Sequence, residues 1–106
     1  MSRIELLKGF VATNPNDPFP RYALALEYKN GGQLDDAAAT FQELMERLPD
    51  YTPTYLHAGN TERERGRLAE AQQIYERGIQ TCQRKADHHA LGELRGALES
   101  LLDEAS

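Results

Sequence analysis

Apolar residues recur along this chain at intervals of three and four, and almost nowhere in alternation. The pattern predicts helices throughout and no strand, because no run of β-branched residues alternates with polar ones. A first helix, Arg3 to Ala12, sets Ile4, Leu7 and Val11 on one face, widened by Leu6 and Phe10. It ends at Asn14-Pro15, where proline drives the preceding residue out of the helical region. Asp17 is placed to cap a second helix, with Pro18 or Pro20 in its first turn, where a missing N–H costs nothing. That helix runs through Tyr22, Leu24, Ala25 and Tyr28 and stops at Gly31-Gly32.

A third helix starts near Leu34, with Asp35 and Asp36 at its positive end, and carries Ala37, Ala38, Phe41, Leu44, Met45 and Leu48 to Pro49. Thr52-Pro53 repeats the cap-plus-proline signal for a fourth helix, which ends at Gly66. A fifth, about Leu68 to Cys82, places Ala71, Ile74, Tyr75, Gly78 and Ile79 on one face. A sixth, about Asp87 to Asp103, carries Ala90, Leu91, Leu94, Leu98, Leu101 and Leu102, with Glu93, Arg95, Glu99, Asp103 and Glu104 toward water. The connections are short, so consecutive helices are expected to pack antiparallel.

The six helices are not independent. Sliding the chain along itself until Gly32 falls on Gly66 also aligns Pro15 with Pro49, Leu34 with Leu68, Ala37 with Ala71, Phe41 with Tyr75 and Met45 with Ile79. The agreement falls on the turn between helices and on the packing face of each second helix. A fixed period of about 34 residues marks stacked helix pairs. The residues resemble the tetratricopeptide repeat (TPR) family. One copy matches at Leu24, Ala25, Tyr28, Ala37, Phe41 and Pro49, and departs at Arg21, where a large apolar residue is usual, and at Leu44, where Ala is usual. The other matches at Tyr55, Gly59, Ala71, Tyr75 and Gly78, and departs at Ala58, Glu62 and Gln83. Leu91-Gly92 repeats the first-helix pair of Leu then a small residue, one position short of a full period after Gly59. The likeness spans roughly residues 3 to 100. It implies an all-α, right-handed α-α superhelix: a half repeat at 1–17, repeats at 18–51 and 52–85, and a capping helix at 86–103.

The resemblance also implies a concave groove lined by the first helices. Carried over, its residues are Phe19, Tyr22, Leu26, Lys29 and Asn30 in one repeat, and Pro53, Leu56, Asn60, Arg63 and Glu64 in the next. Aromatic and aliphatic anchors with Lys29 and Arg63 at the rim suit an extended or helical peptide bearing an acidic side chain. Tyr22 and Leu26 equally suit packing against neighbouring helices. One variant of the family grips a peptide's C-terminal carboxylate with Lys and Asn on the first helix and Asn on the next. Tyr22, Leu26 and His57 stand there instead, so that clamp is not expected.

Composition narrows the function further. The 106 residues carry 12 basic and 17 acidic side chains, net −5, with a mean hydropathy of −0.68. One domain fits this length. The charge is uneven: residues 63–85 hold six basic side chains against three acidic, while both flanks are acidic. Arg63, Arg65, Arg84 and Lys85 fall in or just after last helical turns, where the dipole favours cations. So short a basic stretch makes too few phosphate contacts for nucleic acid. No segment reaches the length of a membrane span, and Glu5 and Lys8 interrupt any leader-like apolar run, so a cytoplasmic protein is expected.

No catalytic constellation, phosphate loop or metal motif stands out, and neither an enzyme nor a cofactor is expected. His88 and His89 are adjacent on a helix and point about 100° apart, poorly placed to chelate one metal. The lone Cys82 reads as a half-buried small apolar residue. Two functions remain: a scaffold that binds a protein or peptide in the groove, and a homodimer through a half-covered edge of Ile4, Leu7 and Val11.

Overall fold

A computed structural model describes residues 1–106, and all six expected helices are present: α1 (Arg3–Thr13), α2 (Pro18–Asn30), α3 (Leu34–Arg47), α4 (Pro53–Glu64), α5 (Leu68–Lys85) and α6 (His88–Ala105). There is no strand. The start signals act locally as read for α2, where Pro18 opens the helix and the Asp17 carboxylate accepts the Phe19 N–H at 3.0 Å. Gly32 and Gly66 take φ of 78° and 79° and turn the chain from first to second helix. Glycine adopts that left-handed conformation without a Cβ clash. The turn into α6 uses Ala86 at φ 56° instead.

The chain forms two compact units, residues 1–51 and 52–106. In the first, α1 and α3 pack on α2. Its buried side chains include Leu7, Leu24, Ala25, Tyr28, Ala37, Phe41, Leu44 and Met45. Arg21, at the position that departs from the family pattern, is buried among them at 5% exposure. Its Nη1 donates to the Pro15 carbonyl at 3.0 Å, and its Nε lies 3.6 Å from Glu43 Oε2.

In the second unit α4 packs on α5, and α6 packs on both. Tyr55, Ala58, Ala71, Tyr75, Cys82, Leu94 and Leu101 form its core. Two glycines set the helix spacing. A Cβ at Gly78 would lie 2.5 Å from Tyr55 Cβ and 2.9 Å from Leu94 Cδ1, and one at Gly59 would strike the Tyr75 ring. Glu62 stands where the first unit has Tyr28. It is buried through an ion pair with Arg65 at 2.7 Å.

Four expectations are revised. Leu7 is buried rather than half covered, and the exposed apolar side chains of α1 are Leu6 and Phe10, each 47% exposed. Leu102 is exposed rather than part of the α6 packing face. Cys82 is fully buried, and desolvation raises its thiol pKa. Thr52 does not cap α4: its hydroxyl donates to Asp87 Oδ2 at 2.6 Å, at the start of α6. No helix is long and apolar enough to cross a membrane.

Candidate functional site

The sequence nominates one face of α2 and one face of α4. Each lies within a single unit and has its own chemistry.

On α2, Phe19 follows the capping Asp17 by two residues and is 63% exposed. One turn on, Tyr22 is half-buried and meets Tyr51 edge to face, with ring centroids 5.5 Å apart and planes at 72°. That geometry is the favoured one for aromatic quadrupoles. Burial, and secondarily the nearby Asp17 carboxylate, raise the pKa of the Tyr51 hydroxyl. Tyr51 therefore stays a neutral hydrogen-bonding phenol beside the aromatic face. Leu26 continues the face and is half-buried. Lys29 is half-buried and Asn30 exposed in the last turn. The spacing 19, 22, 26, 29 keeps these side chains on one helical stripe. What results is an apolar strip with an exposed aromatic at its N-terminal end and a cation at its C-terminal end.

The α4 face is chemically different. Pro53 is exposed at its start, Glu64 at its end, and Leu56 is half-buried between them. Asn60 Oδ1 accepts the Tyr75 hydroxyl, and Arg63 reaches α6. Arg63 Nε donates to Glu104 Oε2 at 2.7 Å, Nη2 donates to the same oxygen, and Nη2 also donates to Ser100 Oγ at 3.1 Å. The bonded Glu104 carboxylate raises the Arg63 pKa. Burial raises the Tyr75 pKa, against the lowering effect of Arg63. Arg63 is thus not an open rim cation: a carboxylate of the chain's own last helix already sits on it. Charge-assisted, doubly donated contacts of this kind are stronger than neutral ones.

Tyr51, Ser100, Glu104 and Tyr75 were not among the nominated residues. The whole of α3 separates Tyr51 from Tyr22 in the chain, and the whole of α5 separates Glu104 from Arg63. No local spacing joins such pairs; only the packing of the helices does. Elsewhere His89 Nε2 lies 3.3 Å from Glu93 Oε1 on the surface of α6, and no three metal-ligating side chains converge.

No model of a known protein family matches the chain. Individual proteins do. A TPR repeat-containing protein of Pseudomonas aeruginosa is 29% identical over 98 residues, covering 92% of this chain and 93% of that one. The solution structure of a tetratricopeptide repeat domain protein from Salinibacter ruber is 37% identical, with a TM-score of 0.77 over 82% of this chain and 88% of that one. The solution structure of a Bordetella parapertussis protein is 25% identical, with a TM-score of 0.83 over 98% of this chain and 90% of that one.

Proposed function

This chain belongs to the tetratricopeptide repeat family, and from that premise we propose that it is a protein-interaction module whose first-helix faces bind a peptide or partner surface. The observation that carries this reading is Phe19, 63% exposed on a helix whose next turn already presents the Tyr22–Tyr51 pair. A large exposed aromatic beside a half-buried aromatic shelf suits an anchor that closes on a partner's apolar side chain. Leu26 extends the apolar contact, and Lys29 and Asn30 supply polar ends. On α4, Leu56 offers a smaller apolar contact beside Asn60 and Arg63.

The α4 face changes what ligand is expected. With Glu104 on Arg63, an acidic ligand gains nothing there unless it displaces that carboxylate. Aromatic and aliphatic side chains on α2 are therefore the main determinants of binding. Selection of peptides from a displayed library on the immobilised protein tests this. Ligands rich in large apolar residues are expected, and their binding should fall at least tenfold in Phe19→Ala and in Tyr22→Ala with helicity unchanged. Selected peptides that bind both variants as tightly as the native chain reject the α2 assignment.

A second reading is self-association through α1, favoured by Leu6 and Phe10 standing 47% exposed on one side of that helix. Apolar side chains at helical spacing on an otherwise polar surface mark association sites. The face concerned is that of Leu6 and Phe10, since Leu7 is covered within its own unit. Loss of concentration-dependent association in Phe10→Glu supports this reading, and a native chain that stays monomeric at about 1 mM rejects it.

A further inference from the structure

The self-association reading names the surface on one copy and leaves its complement on the other unstated; the repeat register supplies it. In the second unit, α4 and α5 are held together by two close approaches: Gly59 accommodates the Tyr75 ring, and Gly78 accommodates Tyr55. Carried along the repeat, Gly59 and Tyr55 of the first helix correspond to Gly92 and His88 of α6. Tyr75 and Gly78 of the second helix correspond, two periods earlier, to Leu7 and Phe10 of α1. So α6 carries the first-helix half of a packing contact, and α1 carries the second-helix half.

Each half is open at one position, Gly92 on α6 and Phe10 on α1, while Leu7 is already covered within its own unit. A Cβ at Gly92 would meet nothing within 4 Å, whereas one at its counterpart Gly59 would enter a tyrosine ring. Phe10 is 47% exposed, whereas its counterpart Leu44 is 0% exposed. We propose that a second copy of this chain covers α1 with its α6, head to tail, in the register of α4 against α5. His88 then lies against Phe10, and Gly92 admits the α1 backbone closely above Leu7. This rests on the self-association reading and fixes its geometry.

Charge points the same way. Along α1 stand two basic residues, Arg3 and Lys8, against one acidic, Glu5. Along α6 stand four acidic residues, Glu93, Glu99, Asp103 and Glu104, against one basic, Arg95. Arg3 is paired with Glu27 of its own unit and Glu104 with Arg63, which leaves α1 near neutral and α6 acidic through Glu93, Glu99 and Asp103. Two α6 helices meeting would bring like charge together, and α1 meeting α6 does not. A contact between unlike surfaces leaves each pair of copies with one open α1 and one open α6, so association continues past the dimer. One helix lying on one helix is a small interface, and a dissociation constant on the order of 100 μM is expected.

Sedimentation equilibrium of the full chain from about 10 μM to about 1 mM is the test, with Phe10→Glu blocking α1 and Gly92→Glu blocking α6. Gly92 faces open space, so its variant keeps the fold; Leu6→Glu replaces Phe10→Glu if circular dichroism shows lost helicity. The native chain should rise steadily in average mass, while each variant stays close to monomer mass up to about 100 μM, its dissociation constant raised at least tenfold. An equimolar mixture of the two variants should form one-to-one pairs, because each retains the half that the other lacks. A native chain monomeric at about 1 mM overturns both the geometry and the reading beneath it. Association lost in Phe10→Glu but untouched in Gly92→Glu, or a variant mixture that does not pair, overturns the head-to-tail geometry alone and leaves an α1-mediated dimer standing.

Discussion

The two units solve one crossing with opposite chemistry. Where the second helix of the repeat meets the first, the first unit has Arg21, Glu43 and Leu44, and one period on the second unit has Tyr55, Arg77 and Gly78. In the first, bulk sits on the second helix as the fully buried Leu44, and Arg21 crosses as a slender chain to Pro15 and Glu43. In the second, bulk moves to the first helix as the fully buried Tyr55, Gly78 makes room for it, and the Arg77 guanidinium lies 5.8 Å from the Tyr55 ring centre. Bulk, polarity and charge exchange partners across the crossing, as close-packed interiors allow when the neighbouring side chains repack. A repeat's identity therefore lies in the shape of the crossing more than in any one residue.

Breaking the comparison in the second unit has the largest expected effect. Tyr55→Ala should cost about 3–5 kcal/mol by opening a cavity. Gly78→Leu, which imports the first unit's residue without its partners, should cost at least about 3 kcal/mol, because Tyr55 Cβ is close to the backbone and cannot yield. Against a total stability of about 5–15 kcal/mol, either change removes about a fifth or more of it. Urea titration followed by helicity measures it, and a loss below about 1 kcal/mol for both would refute the crossing as described. The sharper variant carries all three residues across: Tyr55→Arg, Arg77→Glu and Gly78→Leu together. It should recover about 1–3 kcal/mol relative to Gly78→Leu alone, the range expected for residues in direct contact. No recovery would show that the two crossings are not interchangeable solutions.

Periodicity and turn residues were enough to read all six helices and the repeat that relates them, because both depend on local sequence. The departures at Arg21, Leu44 and Glu62 were also visible, but not their compensation. Arg21 reads as a defect until Glu43 and the Pro15 carbonyl are seen beside it, and Glu62 until Arg65 is. On α1, the apolar residues cover so wide an arc that the pattern alone cannot separate buried Leu7 from exposed Leu6 and Phe10. The candidate faces were legible as helix stripes. Their occupancy was not, since Arg63 is answered by a glutamate two helices further along the chain.

Removing Arg21 should cost far less than removing Tyr55. Its ion-pair partner Glu43 keeps a side chain 59% exposed, so water screens the pair, and Arg21 Nε is buried without a hydrogen-bond acceptor. Arg21→Met keeps most of the aliphatic volume, gives up the bond to Pro15, and relieves the buried Nε. A net loss of about 1 kcal/mol or less is expected in the same urea titration. A loss above about 3 kcal/mol would make the guanidinium, rather than its stem, the organising feature of the first unit.

The smallest effect concerns how the two first helices begin. The start of α2 is self-contained, with Asp17 accepting the Phe19 N–H; the start of α4 is tied to α6 by the Thr52 hydroxyl on Asp87. The Thr52 hydrogen bond first, and the Ala90 N–H second, lower the Asp87 pKa from its ordinary value. A carboxylate whose folded pKa is depressed binds its proton more readily when unfolded. It therefore stabilises the fold above the unfolded value of about 3.9, and that contribution disappears as pH falls through the folded value. Thr52→Val removes the larger cause while keeping the shape. Its urea midpoint should lie below the native one at about pH 7, and the gap should narrow as pH falls through the depressed folded pKa of Asp87. A gap that does not narrow at all between about pH 7 and the acid limit of the folded state would mean that Thr52 acts by packing alone, and the link between α4 and α6 would lose its electrostatic part. Asp17→Asn should leave that gap as it is, because the α2 cap lies in the other unit and shares no partner with Asp87.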